Sequence, residues 1–254
     1  MLPNLRPVPR SEATLLGAAM GDISLDTLLR SFLTSFGIVS QRLQKLSSHD
    51  ALFLLRTCLS MPKLLHTLRT SPSFTRTALL KEIDSAFSQS LSSILNVNFN
   101  PSQIAQASLP VKLGGFGIVS SVDIASSAFL SSLHAADPIC RLISPEWSLL
   151  DIATYQTALT QWKSQCPTPM PTCHLALQKA WSLPLHRHLA DSLSASVDDP
   201  GRARLFSCRA FGSGDWLYAL PSTSLGLHLN DEQLRIAAAV RLGAPVSVEH
   251  ILVR

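Results

Sequence analysis

The segment Gln106–Ser121, with the sequence QASLPVKLGGFGIVSS, separates two stretches of helical pattern. Pro110 fixes its own φ and disfavours helix in the residue before it, so a preceding helix is expected to end there. Val111–Leu113 is short and β-prone. Three glycines then permit backbone conformations that a side chain would forbid: Gly114, Gly115 and Gly117. The segment therefore predicts a short strand near 110–119 with a backbone turn, followed by a helix from about Ser120.

Apolar residues recur at helical spacing through most of the remaining chain. Strand patterns are confined to short pieces near 14–23 and 110–119. The predicted fold is therefore mainly α, a multi-helix, bundle-like arrangement with a few short strands. The predicted helices are Leu25–Leu46, Ala51–Ser60, Pro62–Thr70, Thr75–Leu95, Val122–Ala135, Trp147–Lys163, a long helix from about Leu177 to Leu193 kinked at Pro184, Arg202–Ala210 and Glu232–Leu242.

Changes in composition divide the chain into five regions. Three prolines fall within the six residues of CPTPMP, which cannot lie inside a regular element. The regions are a proline-rich tail with a short strand at 1–23, a basic helical region at 24–109, a glycine-rich turn and helical connection at 110–165, the linker at 166–171, and a C-terminal helical region at 172–254.

The overall composition is that of a globular protein that binds no membrane. The chain has 254 residues, of which 46% are hydrophobic and 15% charged, and a formal net charge of +4. No apolar run approaches the roughly 18 residues that a membrane-spanning helix needs. Five widely spaced cysteines do not form a disulfide framework. We expect an intracellular protein, with the choice between nucleus and cytoplasm open.

The stretch from Arg42 to Lys81 is strongly basic. It holds seven Lys and Arg residues but one acid, Asp50, so its local charge of +6 exceeds that of the whole chain. Spaced cations of this kind contact nucleic-acid phosphates independently of sequence. The alternative is a solvated helical face with a chance excess of cations. Pro62 and Pro72 interrupt the helical register, so the sequence does not place these residues on one face.

Patterns that would indicate catalysis or metal binding are weak. The one Asp-Asp pair, Asp198-Asp199, precedes Pro200-Gly201 and predicts a helix-capping turn rather than a metal site. The glycine-rich segment Gln106–Ser121, which we call the glycine string, matches neither a Walker A motif nor G-x-G-x-x-G. The Cys and His residues near the linker lack zinc-knuckle spacing. No metal and no cofactor are therefore expected.

Six segments, taken in order, resemble the region after the catalytic palm in reverse-transcriptase-like proteins of non-LTR (LINE-type) retrotransposons. The glycine string is the most distinctive of them, and together they cover most of the chain. The segments are Leu15–Ala18, resembling the end of the palm; Leu54–Arg56 with Leu64–Thr70, resembling the thumb; Gln106–Ile118; Ala128–Ser132; Asp215–Leu217 with Ala219–Pro221; and Leu234–Ala237 through Arg241–Pro245.

The resemblance implies a fragment without catalytic activity. The family is an RNA-directed DNA polymerase whose catalytic aspartates precede this region, so we expect them upstream of Met1. Region 1–23 would then be a remnant of the palm edge, 24–109 the thumb, and 110–165 the start of the connection. Alone, the chain is expected not to polymerise DNA, and the missing polymerase half is an implied partner.

The resemblance also implies a nucleic-acid partner, because a thumb holds the template–primer along its backbone. The expected ligand is an RNA–DNA hybrid or another duplex. The thumb-like segment nominates Arg56, Lys63 and Arg69 as nucleic-acid-binding residues, with Lys112 of the glycine string as a weaker candidate. The alternatives are a helical scaffold or interaction protein, or a decayed gene product, neither of which binds nucleic acid.

Overall fold

The computed structural model describes residues 8–245 and is mainly α-helical, as the sequence predicts. Leu55–Leu59 extends α2 as a π-helical turn, and single 3₁₀ turns occupy Ser73–Thr75, Val111–Leu113, Leu149–Asp151 and Asp215–Leu217. The α-helices are α1 Asp22–Leu43, α2 Ser48–Leu54, α3 Met61–Thr70, α4 Thr77–Leu95, α5 Pro101–Ser108, α6 Ser121–Ile143, α7 Ala153–Gln165, α8 Gln178–Ser196, α9 Asp199–Arg209 and α10 Asp231–Leu242.

The strand predicted near 14–23 is confirmed as a minimal hairpin. β1 (Thr14–Leu15) pairs antiparallel with β2 (Ala18–Ala19), and Thr14 lies opposite Ala19. Leu16 and Gly17 have φ of 51° and 81°, the left-handed geometry that matches a two-residue hairpin turn to strand twist. The Ala19 amide donates to Ser71 Oγ at 3.1 Å, which fixes the hairpin to the end of α3.

The strand predicted near 110–119 is wrong. Val111–Leu113 forms a 3₁₀ turn instead, and Gly114 follows with φ 91°. The chain then folds back over the end of α5, where the amides of Phe116 and Gly117 donate to the carbonyls of Ala107 and Leu109 at 3.1 and 2.8 Å. These bonds close residues 107–117 into a compact loop against α5, so the segment has no extended partner with which to form a ladder.

Helix α6 is the centre of the packing and contacts α3, α4, α7 and α8. Its first half is buried on nearly every side and is rich in Ser and Ala, whose small side chains let four helices approach closely. α6 runs through Pro138 to Ile143, beyond the Val122–Ala135 that the sequence predicts. Pro138 is exposed, so water can hydrate the carbonyl that its ring leaves without a donor.

Residues 166–171 contain no helix or strand, but the helices on either side share one hydrophobic core. Trp162 of α7 donates from Nε1 to the carbonyl of Trp181 in α8 at 3.0 Å. The two indole rings meet edge to face with centroids 5.4 Å apart. The segment is therefore a local break in regular structure within a continuous core.

His186 of α8 makes the stability of the protein sensitive to acid. The side chain is buried, and its Nε2 has no hydrogen-bond partner in the part of the chain described. Burial lowers the pKa of His186 to about 4, below its unfolded value of about 6.5. Protonation therefore favours the unfolded state, and the associated stability is complete above pH 6.5 and lost as the pH falls towards 4.

We expect His186→Leu to flatten the pH dependence of the free energy of unfolding between pH 6.5 and 4. The burial of an uncharged side chain of similar size removes the linked protonation, which accounts for about 3 kcal/mol over this range. Urea denaturation at a series of pH values measures the effect. A variant with the wild-type slope would contradict this account of His186.

Candidate nucleic-acid interface

The side chain of Arg56 is held by contacts within the fold. It lies on the π-helical turn after α2, where Nη1 donates to the carbonyl of Leu217. Its guanidinium also lies 4.6 Å from the centre of the Tyr218 ring. Burial lowers the pKa of Arg56, and Tyr218 opposes that shift. Arg56 therefore connects the turn at Asp215–Leu217 to the π-helical turn after α2, which leaves less of its guanidinium to contact a phosphate.

Lys63 and Arg69 lie on α3 and remain accessible. Lys63 is exposed and Arg69 half-buried, and neither forms an ion pair with another residue in 8–245. Six positions of an α-helix correspond to about 600° of rotation, so the two side chains leave α3 in directions about 120° apart. Lys112 is exposed on the 3₁₀ turn that packs against α9, so it belongs to another part of the surface.

Of the other four cations of the basic stretch, one forms ion pairs with carboxylates and three do not. Arg76 forms ion pairs with Asp22 and Asp26 of α1, both at 2.6 Å. Asp50, the one acid, accepts a 2.5 Å hydrogen bond from Ser47 within the α2 cap. Three more cations are exposed and form no ion pair within residues 8–245: Arg42, Lys45 and Lys81.

These cations are spread over the surface rather than gathered at one point. α1 and α4 run side by side in the same direction, since Arg76 meets Asp26 near their N-termini and the Phe36 and Phe87 rings pack 4.9 Å apart further along. Lys81 therefore lies near the start of this pair and Arg42 near its end, about 20 Å away by helical rise. Such a distribution suits several phosphates of an extended backbone better than one small anion.

A groove of about 710 Å³ lies between α4, α5 and α8. At one end Asp84 accepts hydrogen bonds from Ser120 Oγ and the Ser121 amide, both at 2.6 Å, and so stabilises the start of α6. Burial raises the pKa of the neighbouring Asp123 to about 6, and the charge of Asp84 adds to that shift. The apolar walls include Phe87, Leu91, Phe99, Ile104, Leu189 and Leu193.

Sequence reasoning missed this groove, because α8 is distant in sequence from α4 and α5 and only tertiary packing brings the three helices together. Amphipathic spacing identified the apolar residues of α4 and α8 but could not distinguish those that fill the core from those that line a groove.

The helix-capping interpretation of Asp198-Asp199 is confirmed. Asp198 accepts from the Gly201 amide at 3.0 Å and caps α9, while Asp199 pairs with Arg202 at 3.0 Å. Within residues 8–245, no group of three or more His, Cys, Asp or Glu side chains is arranged to hold a metal ion. No helix in that range is long and apolar enough to cross a bilayer.

No model of a known protein family matches this chain, and searches of curated proteins and of solved structures find no match either. The resemblance to retrotransposon reverse transcriptases therefore stays a prediction. Support for the candidate interface comes from the charge and exposure of its own residues.

Proposed function

We propose that this chain is a non-catalytic part of a retrotransposon-type reverse transcriptase that binds nucleic-acid backbones independently of sequence. The observation that carries the proposal is the excess of accessible cations in the sequence between Arg42 and Lys81. Of the seven cations of the basic stretch, Arg76 pairs with carboxylates and Arg56 donates to a backbone carbonyl. The other five are accessible and form no ion pair in residues 8–245: Arg42, Lys45, Lys63, Arg69 and Lys81.

The physical basis is the release of counterions. A duplex carries a condensed layer of cations, and each protein cation that neutralises a phosphate displaces part of that layer. Lys63 and Arg69, on the thumb-like helix, are the contacts we expect to matter most. Arg56 adds to the positive potential from an internal position, whereas the charge of Arg76 is offset by Asp22 and Asp26. Lys112 contributes from another part of the surface, on the 3₁₀ turn that packs against α9.

We expect Lys63→Ala/Arg69→Ala to weaken binding of a labelled RNA–DNA hybrid and to reduce the salt dependence of that binding. Each lost phosphate contact lowers the slope of log K against log salt by about one. Fluorescence anisotropy across a salt series measures both quantities. Arg56→Ala is left out of the variant, because it would release the Leu217 carbonyl and the Tyr218 ring as well as remove a charge.

The matched control is Lys163→Ala/Lys179→Ala. It removes the same charge from exposed positions on α7 and α8, outside the basic stretch. We expect it to keep the wild-type slope. Equal losses in the two double variants, or no binding of hybrid by the folded wild-type protein at low salt, would contradict the proposal.

The groove favours a second candidate function, that of a helical interaction protein. Its apolar walls complement the apolar face of an amphipathic partner helix. A folded protein that does not bind the RNA–DNA hybrid would favour this second function.

A further inference from the structure

The exposed aromatic side chains in the described part of the chain lie close together in the sequence. In residues 8–245 three aromatic residues are exposed: Phe206 at 59%, Tyr218 at 55% and Phe211 completely. Every other Phe, Trp and Tyr in that range is buried or half-buried. The three lie in α9 and the turns that follow it. Rings left in water contribute nothing to the core, so the fold alone gives no reason for this cluster.

Cations accompany the rings. The guanidinium of Arg209 lies 5.8 Å from the centre of the Phe206 ring, and that of Arg56 lies 4.6 Å from the centre of the Tyr218 ring. Lys112 is exposed on the 3₁₀ turn that packs against α9. Arg209 is paired with Asp191 at 3.7 Å, and Asp215 is an exposed acid in the same turn region. Lys112, which forms no ion pair within residues 8–245, is therefore the accessible cation of this surface.

Arg241 of α10 holds these segments together. Its guanidinium donates to the carbonyls of Val111, Ser213 and Cys208 at 3.0, 3.1 and 3.2 Å. The turn that carries Lys112 and the segment from Phe206 to Phe211 are therefore fixed on one corner of the molecule. A fixed corner presents its rings without a large ordering cost on binding.

We propose that the corner formed by Phe206, Phe211, Tyr218 and Lys112 binds single-stranded nucleic acid, with bases stacked on the rings and phosphates near Lys112. Exposed aromatic rings beside cations are the features that proteins use for sequence-tolerant binding of single strands. A duplex cannot use them, because its base faces are already stacked. The inference rests on the proposed nucleic-acid binding but concerns another surface and another form of the ligand.

The test uses the full chain and two labelled 20-mers of equal charge, oligo(dT) and an abasic oligonucleotide with the same backbone. We expect oligo(dT) to bind more tightly than the abasic strand. Phe206→Leu/Phe211→Leu should weaken oligo(dT) binding by about tenfold, because Leu keeps the apolar surface but offers no ring for stacking. Binding of the abasic strand and of the RNA–DNA hybrid should stay unchanged. Leu142→Ala, at an exposed apolar residue of α6, is the control.

Equal affinity of the wild-type protein for the two 20-mers would overturn the inference, as would an unchanged oligo(dT) affinity in the double Phe variant. Either result, with hybrid binding intact and sensitive to Lys63→Ala/Arg69→Ala, would leave the proposed function standing. If the protein binds no hybrid but still binds oligo(dT) through the rings, the inference would stand and the proposed function would be contradicted.

Discussion

Replacement of Arg241 by Met is expected to lower the free energy of unfolding by about 4 kcal/mol. The side chain is 5% exposed, and its guanidinium donates to four backbone carbonyls. Met retains much of the apolar stem but has no donor, so buried carbonyls lose their hydrogen bonds, each at a cost of about 1–3 kcal/mol where water cannot enter. The carbonyls belong to Val111, Cys208, Ser213 and Gly115.

Arg241→Lys should also destabilise the protein, by about half as much. A lysine ammonium has three donors around one atom and cannot reproduce the planar guanidinium that reaches carbonyls on separate segments. Burial lowers the pKa of Arg241, but a guanidinium stays charged in proteins.

Urea denaturation followed by tryptophan fluorescence measures these changes in stability. Arg187→Met is the matched control, because Arg187 is exposed on α8, and we expect its effect to stay within about 0.5 kcal/mol. A loss below about 1 kcal/mol for Arg241→Met would show that water or backbone rearrangement replaces the guanidinium.

Local signals predicted most of the helices and several of their ends, but α5 (Pro101–Ser108) was not among the predicted helices. Apolar periodicity identified α1 and α4, which place Leu29, Phe36 and Phe87 in the core. Local side-chain chemistry also fixes the ends of α10, where Asn230 accepts from the Gln233 amide at the start and Gly243 ends the helix with φ 68°. These features depend on neighbours within four positions, so the sequence alone contains the necessary information.

Features that depend on distant partners could not be predicted in the same way. Arg56 and Arg76 looked like the other cations of the basic stretch, but their partners Leu217 and Asp22 lie 161 and 54 positions away. The β-prone composition of Val111–Leu113 was outweighed by Gly114 and by hydrogen bonds back to α5. The aromatic corner follows from the exposure of three rings, which composition does not reveal.

Gly115→Ala is expected to destabilise the protein by about 3 kcal/mol or more. A Cβ at this position would lie 1.9 Å from the Leu109 carbonyl oxygen and 2.5 Å from that of Gln106. Both atoms are backbone, so no rotamer change relieves the overlap. The turn would have to move away from α5 and give up the Phe116 and Gly117 hydrogen bonds that close it.

Gly37→Ala is the matched control and should have the opposite sign. Gly37 lies inside α1, and a Cβ there meets no atom within 4 Å. The same added methyl group should therefore stabilise the protein by about 1 kcal/mol through helix propensity. Thermal and urea unfolding of the two variants gives the comparison. Stability of Gly115→Ala within about 1 kcal/mol of wild type would mean that the glycine string tolerates side chains. A loss of stability at Gly115 together with a gain at Gly37 would show that the added methyl group destabilises only where it meets the backbone of α5 and the residue after it. Gly115 would then be required for close packing of the turn against α5.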